Sequence, residues 1–258
     1  MDEKLFSIIT TTYNCKKEIE ETINSVLLQK EELFEYIIID NNSNDGTIDI
    51  LNKYKDKIKL IVEHDDGIYD AMNKGIKIAK GKYLYFLGAG DCLKKNILEN
   101  LEEIIPKVGI YFVYGDIERI KPYNYIQYNY GYNKWTICTN AICHQAIFYS
   151  KEIFEILGKY NLKYRISSCL CKNVECFGNK NIKKKYINAI IADYKGGGIS
   201  DNEFDEIYYK DRSKIILKNL GFIYFIFFIF RECITSLLNF LKLRSTIKII
   251  LEKYQIRI

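Results

Sequence analysis

Residues 63–91, E-H-D-D-G-I-Y-D-A-M-N-K-G-I-K-I-A-K-G-K-Y-L-Y-F-L-G-A-G-D, hold an acidic loop, a helix, a strand and a second acidic turn in one run. Tyr69, Met72, Ile76 and Ala79 recur at i, i+3, i+7 and i+10, the spacing of one helical face. Gly81 reads as the stop. The run 83–87 is apolar at every position, which predicts a strand covered on both faces. It empties into Gly88-Ala89-Gly90-Asp91. One carboxylate therefore stands just past the carboxyl end of a strand, where open α/β sheets bind ligands.

Upstream, residues 5–11 read as a buried strand and 12–15 as a polar turn. A helix is expected over 16–29, with Ile19, Ile23, Val26 and Leu27 on one face. A second strand spans 36–40 and opens into D-N-N-S-N-D-G-T, rich in turn formers and helix caps. A short helix to about residue 54 and a strand at 58–62 complete the alternation. Strand and helix thus alternate through residue 91, predicting an α/β fold whose mostly parallel sheet is flanked by helices. Downstream the pattern predicts a helix over 93–105 ended by Pro106, and a strand over 109–115 that delivers Asp116. Residues 117–139 read as hairpins or loops. Short elements at 146–149 and 152–157 follow, then a strand at 186–192 and a flexible glycine loop at 196–200.

A chain of 258 residues can bury one good core with a small appendage. The division expected is 1–200 for the α/β body and 201–258 for a helical tail. Met1-Asp2-Glu3-Lys4 leads straight into a strand, with no signal peptide in view. Eight cysteines without a small secreted frame suggest reduced thiols, hence a cytoplasmic protein. Net charge is +5, but from Arg212 onward nine Lys/Arg face only Glu232 and Glu252. The tail is basic and the body near neutral. Residues 220–230 form an apolar run too short to span a bilayer, which takes ~20 residues. Two readings stand for this segment: a helix lying in the membrane interface, peripheral on the inner face of the cell membrane, or one packed on the body or in an oligomer.

Acidic loops close the strands ending near Ile39, Val62 and Leu87. Carboxylates converging at strand ends suit a hard divalent cation shared with a phosphate. No G-x-G-x-x-G follows the first strand and no Walker lysine loop occurs, so ordinary dinucleotide and P-loop binding find no support. Five cysteines at 138, 143, 169, 171 and 176 lack the C-x₂-C pairs of a zinc motif and read as buried thiols. Lys183-Lys184-Lys185 reads as a solvated charge run. Tyrosines at 123, 125, 128, 130 and 132 offer either stacking faces for sugar rings or a cover for the sheet.

Taken together, F-S-I-I-T-T-T-Y-N at 6–14, I-I-I-D-N-N-S-N-D-G-T at 37–47, the 63–91 run, H-Q-A-I-F-Y-S at 144–150, Y-R-I-S-S at 164–168 and I-A-D-Y-K-G-G-G-I-S at 191–200 resemble family-2 glycosyltransferases. The likeness is to the bacterial branch that builds surface polysaccharides, and it covers residues 4–200. It implies a GT-A (Rossmann-like) fold and an inverting transfer from a nucleoside-diphosphate sugar to a glycan or lipid-linked acceptor, with Mg²⁺ or Mn²⁺ and no nucleic acid. By position, Thr11 and Tyr13 would flank the base, Asp40 would hydrogen-bond it and Asp65 would sit by the nucleoside. Asp91 would be the metal carboxylate. Two departures stand out. Gly88 and Gly90 leave Asp91 alone where many relatives carry more acids. Cys169-Leu170-Cys171 occupies the place of the D-Y-D that supplies the general base. Asp116, His144, Glu175 and Asp193 are the candidates to stand in, with Cys169 itself at the usual position. The alternative is a catalytically impaired relative that binds sugar nucleotide or a partner enzyme.

Overall fold

A computed structural model describes residues 4–121 and 123–240. In strand β4 (Tyr83–Phe86) every side chain is buried. Leu84 and Phe86 enter the hydrophobic cluster on one face of the sheet, Tyr83 and Tyr85 the cluster on the other. Strands β1 (Phe6–Thr12) and β2 (Phe34–Asp40) sort their side chains the same way, Ile9, Ile37 and Ile39 to the first face, Ile8, Tyr36 and Ile38 to the second. Burying a side chain of this size contributes ~1.5–3 kcal/mol. These central strands therefore carry much of the core.

β3 (Lys59–Val62), β2, β1 and β4 lie side by side and parallel, with Phe6 opposite both Phe34 and Tyr83. Beyond β4 the sheet continues through β8 (Ile147–Ser150), β6 (Tyr111–Arg119), β9 (Lys183–Tyr194) and β5 (Cys92–Leu93), while β7 (Tyr125–Gln127) pairs with β6. β5, β7 and β8 run against the other six strands. Helices α1 (Ile19–Leu27), α2 (Thr47–Asn52) and α4 (Ile97–Ile104) cover the second face. The first face is covered by α3 (Ile68–Ile78), α5 (Lys134–Ile137), α6 (Glu152–Ile156) and α7 (Ser168–Gly178), joined by the tail helices α9 (Glu206–Leu220) and α10 (Phe222–Phe240). This is the expected α/β architecture, a sheet between two helical layers.

Several local expectations change. The helix expected from residue 93 starts at Ile97, because Cys92 and Leu93 pair with Asp193 and Ala192 of β9 and Asn96 turns left-handed at φ 56°. β6 runs on to Arg119, which puts Asp116 inside a strand rather than at its end. Residues 117–139 contain β7 and α5, the latter held by an Asn133–Thr136 capping box. The lysine run is part of β9: Lys184 Nζ donates to the Asn179 and Ile182 carbonyls, and Lys185 Nζ to Ile104. The glycine loop leads into a short helix, α8 (Ile199–Asn202). Gly81 is required by crowding, since a Cβ there would lie 2.5 Å from the Phe6 carbonyl carbon and the Ser7 nitrogen.

The tail begins as part of the body. Tyr208, Ile215, Ile216 and Leu220 of α9 and Phe228 of α10 belong to the first-face cluster. Among the described residues no helix is long and apolar enough to cross a membrane. Residues 241–258, which carry much of the basic excess read from the sequence, lie outside the described residues.

Candidate active site

Parallel pairing brings the ends of β1, β2 and β3 into line, with Thr12 opposite Asp40 and Asp40 opposite Val62. Alternation points Thr12, not Thr11, at Asp40. The Thr12 hydroxyl donates to Asp40 Oδ2 at 2.7 Å, and the Ser43 hydroxyl reaches the same oxygen at 2.7 Å. Ser43 N donates to Asp40 Oδ1 at 2.8 Å, so this fully buried carboxylate holds the turn after β2 in place. Thr11 is half-buried in register with Ile39, and Tyr13 is 63% exposed at the loop tip. Asp65 is buried. Its Oδ1 accepts from Gly67 N, and its own amide donates to Asn41 Oδ1 at 2.9 Å. Asn41 thus joins the acidic loops that follow β2 and β3. Burial raises the Asp65 pKa above the usual carboxylate range. Gly67, at φ +122°, takes a turn that side chains resist and starts α3.

Asp91 lies past the end of β4, on the other flank of β1, and is 5% exposed. Oδ1 accepts from the Lys195 amide at 2.8 Å and Oδ2 from Gln145 Nε2 at 2.5 Å. The loop is moored to α1 by Gly90 N donating to Thr22 Oγ1 at 2.8 Å. Burial pushes the Asp91 pKa up to about 6; the Lys195 amide and Gln145 oppose the rise, and the charge of Asp201 adds to it. Gly88 has a steric reason to be glycine: a Cβ there would come 2.7 Å from Asp91 Oδ2. Room for a second acid at that position is taken by the contact between Asp91 and Gln145.

Gln145 itself is fixed from three sides. Tyr85 OH donates to its carbonyl at 2.7 Å, Cys143 Sγ donates to its Oε1 at 2.6 Å, and its amide nitrogen holds Asp91. In the sequence it stands next to His144, the more conspicuous residue of the H-Q pair. His144 Nε2 is enclosed with no hydrogen-bond partner among the described residues, and burial lowers its pKa to about 4, so the ring is neutral at pH 7. Lys195 acts through its backbone, which no side-chain motif could reveal.

The other base candidates are each engaged elsewhere. Asp116 is 1% exposed, its Oδ1 accepting from Asn129 N at 2.7 Å and its Oδ2 from Tyr186 OH at 2.8 Å. Asp193 pairs with Lys94 at 2.5 Å, and the same ammonium holds Glu118 at 2.6 Å. Glu175 pairs with Lys172 at 2.6 Å. Cys169 opens the first turn of α7, where its Sγ lies 3.1 Å from Tyr69 OH. Burial raises the Cys169 pKa, which keeps it a thiol. Tyr69 OH also donates to the Ile166 carbonyl at 2.7 Å, tying α3 to the start of α7.

Against α7 and α9 lies a cavity of about 420 Å³ whose lining includes Tyr132, Asn140, Asn173, Tyr209 and Arg212. Aromatic faces beside amides and one guanidinium suit a sugar ring next to an anionic group. Leu170, Asn173 and Val174 of α7 complete its wall, so the cavity lies beside the helix that carries Cys169. Tyrosines 123, 125, 128 and 130 are exposed, and only Tyr132 of that group faces the cavity.

As for a cation, no cluster of three or more His, Cys, Asp or Glu that could hold a metal occurs among the described residues. Asp91 alone still fits a cation completed by a ligand's phosphates, for which one carboxylate suffices. Its raised pKa marks a charge that burial disfavours and a neighbouring cation would favour.

Residues 7–157 match the model of the family described as glycosyl transferase family 2. A "PGL/p-HBAD biosynthesis glycosyltransferase" of Mycobacterium bovis is 32% identical over 220 residues, covering 81% of this chain and 84% of the relative. "UDP-Glc:alpha-D-GlcNAc-diphosphoundecaprenol beta-1,3-glucosyltransferase WfaP" of Escherichia coli is 29% identical over 233 residues, covering 84% of this chain and 87% of the relative. In fold, the chain is similar to S. aureus TarS 1-349 in complex with UDP, with a TM-score of 0.67 at 18% identity, over 83% of this chain and 64% of that one. It is also similar to mannosyltransferase PcManGT from Pyrobaculum calidifontis in complex with GDP-Man and Mn²⁺, with a TM-score of 0.58 at 14% identity, over 84% of this chain and 61% of that one.

Proposed function

Because the chain belongs to glycosyl transferase family 2, we propose that it moves a sugar from a nucleoside-diphosphate donor to a glycan or lipid-linked acceptor, with inversion, in surface polysaccharide assembly. The observation that carries this reading is Asp91, a buried carboxylate at the end of a parallel strand, aimed by the Lys195 amide and Gln145. The donor's base and ribose would lie over the β1–β3 loops, with Tyr13 and Thr11 on the base and Asp40 and Asp65 shaping its floor. Mg²⁺ or Mn²⁺, held by Asp91 together with the diphosphate, would neutralise the leaving group's charge. Lys195 Nζ, 3.4 Å from Glu21 and partly exposed, adds a positive charge at the same end. The acceptor sugar would enter the cavity at Tyr132, Asn140 and Arg212, beside the first turn of α7. The E. coli relative is named for a lipid-diphosphate acceptor, and such an acceptor would set the reaction at the inner face of a membrane.

Inverting transfer needs a base for the acceptor hydroxyl. Asp116, Asp193 and Glu175 are bonded to other groups, His144 is enclosed, and Cys169 is a protonated thiol. That set of engagements favours the second reading, a relative that binds sugar nucleotide without turning it over. Incubation with a panel of nucleotide sugars and Mn²⁺, with and without membrane extract, separates the two. Release of nucleoside diphosphate supports transfer; saturable binding with no release under any condition selects the second reading.

A further inference from the structure

Helix α10 is apolar on all sides over its first turns, yet only part of it is covered. Tyr224, Phe227 and Phe228 face the body: Trp135 lies 4.5 Å from the Tyr224 ring and 5.1 Å from Phe227, and the Arg212 guanidinium sits 5.1 Å over Phe228. Phe222, Ile223, Ile226, Ile229 and Phe230 are exposed, and Ile234 and Leu237 extend the same stripe at helical spacing. A helix that is hydrophobic all round needs something apolar against its free side. Its neighbour supplies charge. On α9, Lys210, Lys214 and Lys218 recur every four residues, exposed on one face with Leu217 among them. The sequence after residue 240 adds Lys242, Arg244, Lys248, Lys253 and Arg257 against a lone Glu252.

We propose that the exposed face of α10, with the lysine row of α9, docks in the plane of an anionic phospholipid surface. An exposed aromatic and isoleucine stripe, with exposed lysines on the adjoining helix, is the composition of an interfacial element, and among the described residues no helix is long and apolar enough to span. A second copy of the chain is the poorer occupant. A self-paired face would bring two basic tails together, whereas an anionic bilayer attracts both the lysine row and the tail. The cavity lined by Tyr209 and Arg212 lies beside the same helices, so docking would present it to an acceptor whose lipid stays in the bilayer. That last consequence rests on the transferase reading; the docking itself does not.

The full chain is mixed with vesicles of phosphatidylglycerol and phosphatidylcholine, and with phosphatidylcholine alone, and sedimented. The chain is expected to pellet with the anionic vesicles, to be released as salt rises, and to stay in the supernatant with the neutral ones. A double variant, Ile226→Asp with Phe230→Asp, is expected to weaken partitioning at least ~tenfold, and Lys214→Glu with Lys218→Glu to remove the preference for anionic lipid. Trp135, the chain's one tryptophan, sits against α10, so unchanged emission in each variant shows that the helix is still docked on the body. A chain that ignores anionic vesicles overturns the proposal. So does a dimer in solution that Phe230→Asp dissociates while vesicle binding is absent. Neither result bears on nucleoside-diphosphate release, which is read in the separate nucleotide-sugar assay.

Discussion

At Asp91, the proposed cation role and stability pull in opposite directions. Folding raises its pKa from 3.8 to about 6, so the fold binds its proton more tightly than the unfolded chain does. This group therefore costs nothing below pH 4, and its penalty grows between pH 4 and about 6 and is complete above that. Asp91→Asn is therefore expected to raise stability at pH 8 by up to ~2 kcal/mol, the charge penalty less a weakened bond to Gln145. The same variant should lose Mn²⁺-dependent nucleotide binding, measured by calorimetry. Unchanged binding would remove Asp91 from the site. In the wild type, that binding should fall about tenfold per pH unit below about 6. For Cys169, the raised thiol pKa predicts that Cys169→Ser changes nucleoside-diphosphate release by less than ~3-fold, and a loss above ~100-fold would make the thiol the base. Asp91 and the turn carboxylates were legible in the sequence because apolar runs that stop at small and acidic residues mark strand ends. Gln145 and the Lys195 amide were not, because one stood beside a more conspicuous histidine and the other acts without its side chain.

Among elements, the joint between α7 and α9 shapes the cavity proposed for the acceptor. Asp205 caps α9 through Tyr208 N at 3.1 Å and also accepts from Ile166 N and Ser167 N at 2.9 and 3.0 Å, where α7 begins. One buried carboxylate thus fixes two helix starts. Asp205→Ala should cost ~2–4 kcal/mol by chemical denaturation, leaving three amides, two of them buried, without an acceptor. At the far end, a Cβ on Gly178 would lie 2.3 Å from the Asn219 carbonyl oxygen of α9. Gly178→Ala should push the helices apart and lower stability by ~1–3 kcal/mol, with a smaller loss in Mn²⁺-dependent nucleotide binding than in acceptor-dependent turnover. A helix with a clear period, such as α3, and a strand with an unbroken apolar run, such as β4, could be read from the chain. β5 could not: two residues make no period, and their strand character comes wholly from β9, a hundred residues later.

Over the whole molecule, the sheet is one continuous surface whose parallel half matches what alternation predicts. Its far half owes its order to pairings of long sequence separation that no local pattern carries. The bond from the Lys195 amide to Asp91 spans 104 residues and carries a consequence for synthesis. On the ribosome, β1 to β4 can pair once residue 91 has emerged, since their partners are all in hand. The carboxylate they deliver is then still unaimed. It waits for β9 to slide in between β6 and β5, so the oldest part of the nascent chain acquires its chemistry only when the youngest strand arrives. In refolding experiments the far-ultraviolet signal should accordingly recover before nucleotide binding does, and a chain stalled near residue 180 would be folded in its first half and inert.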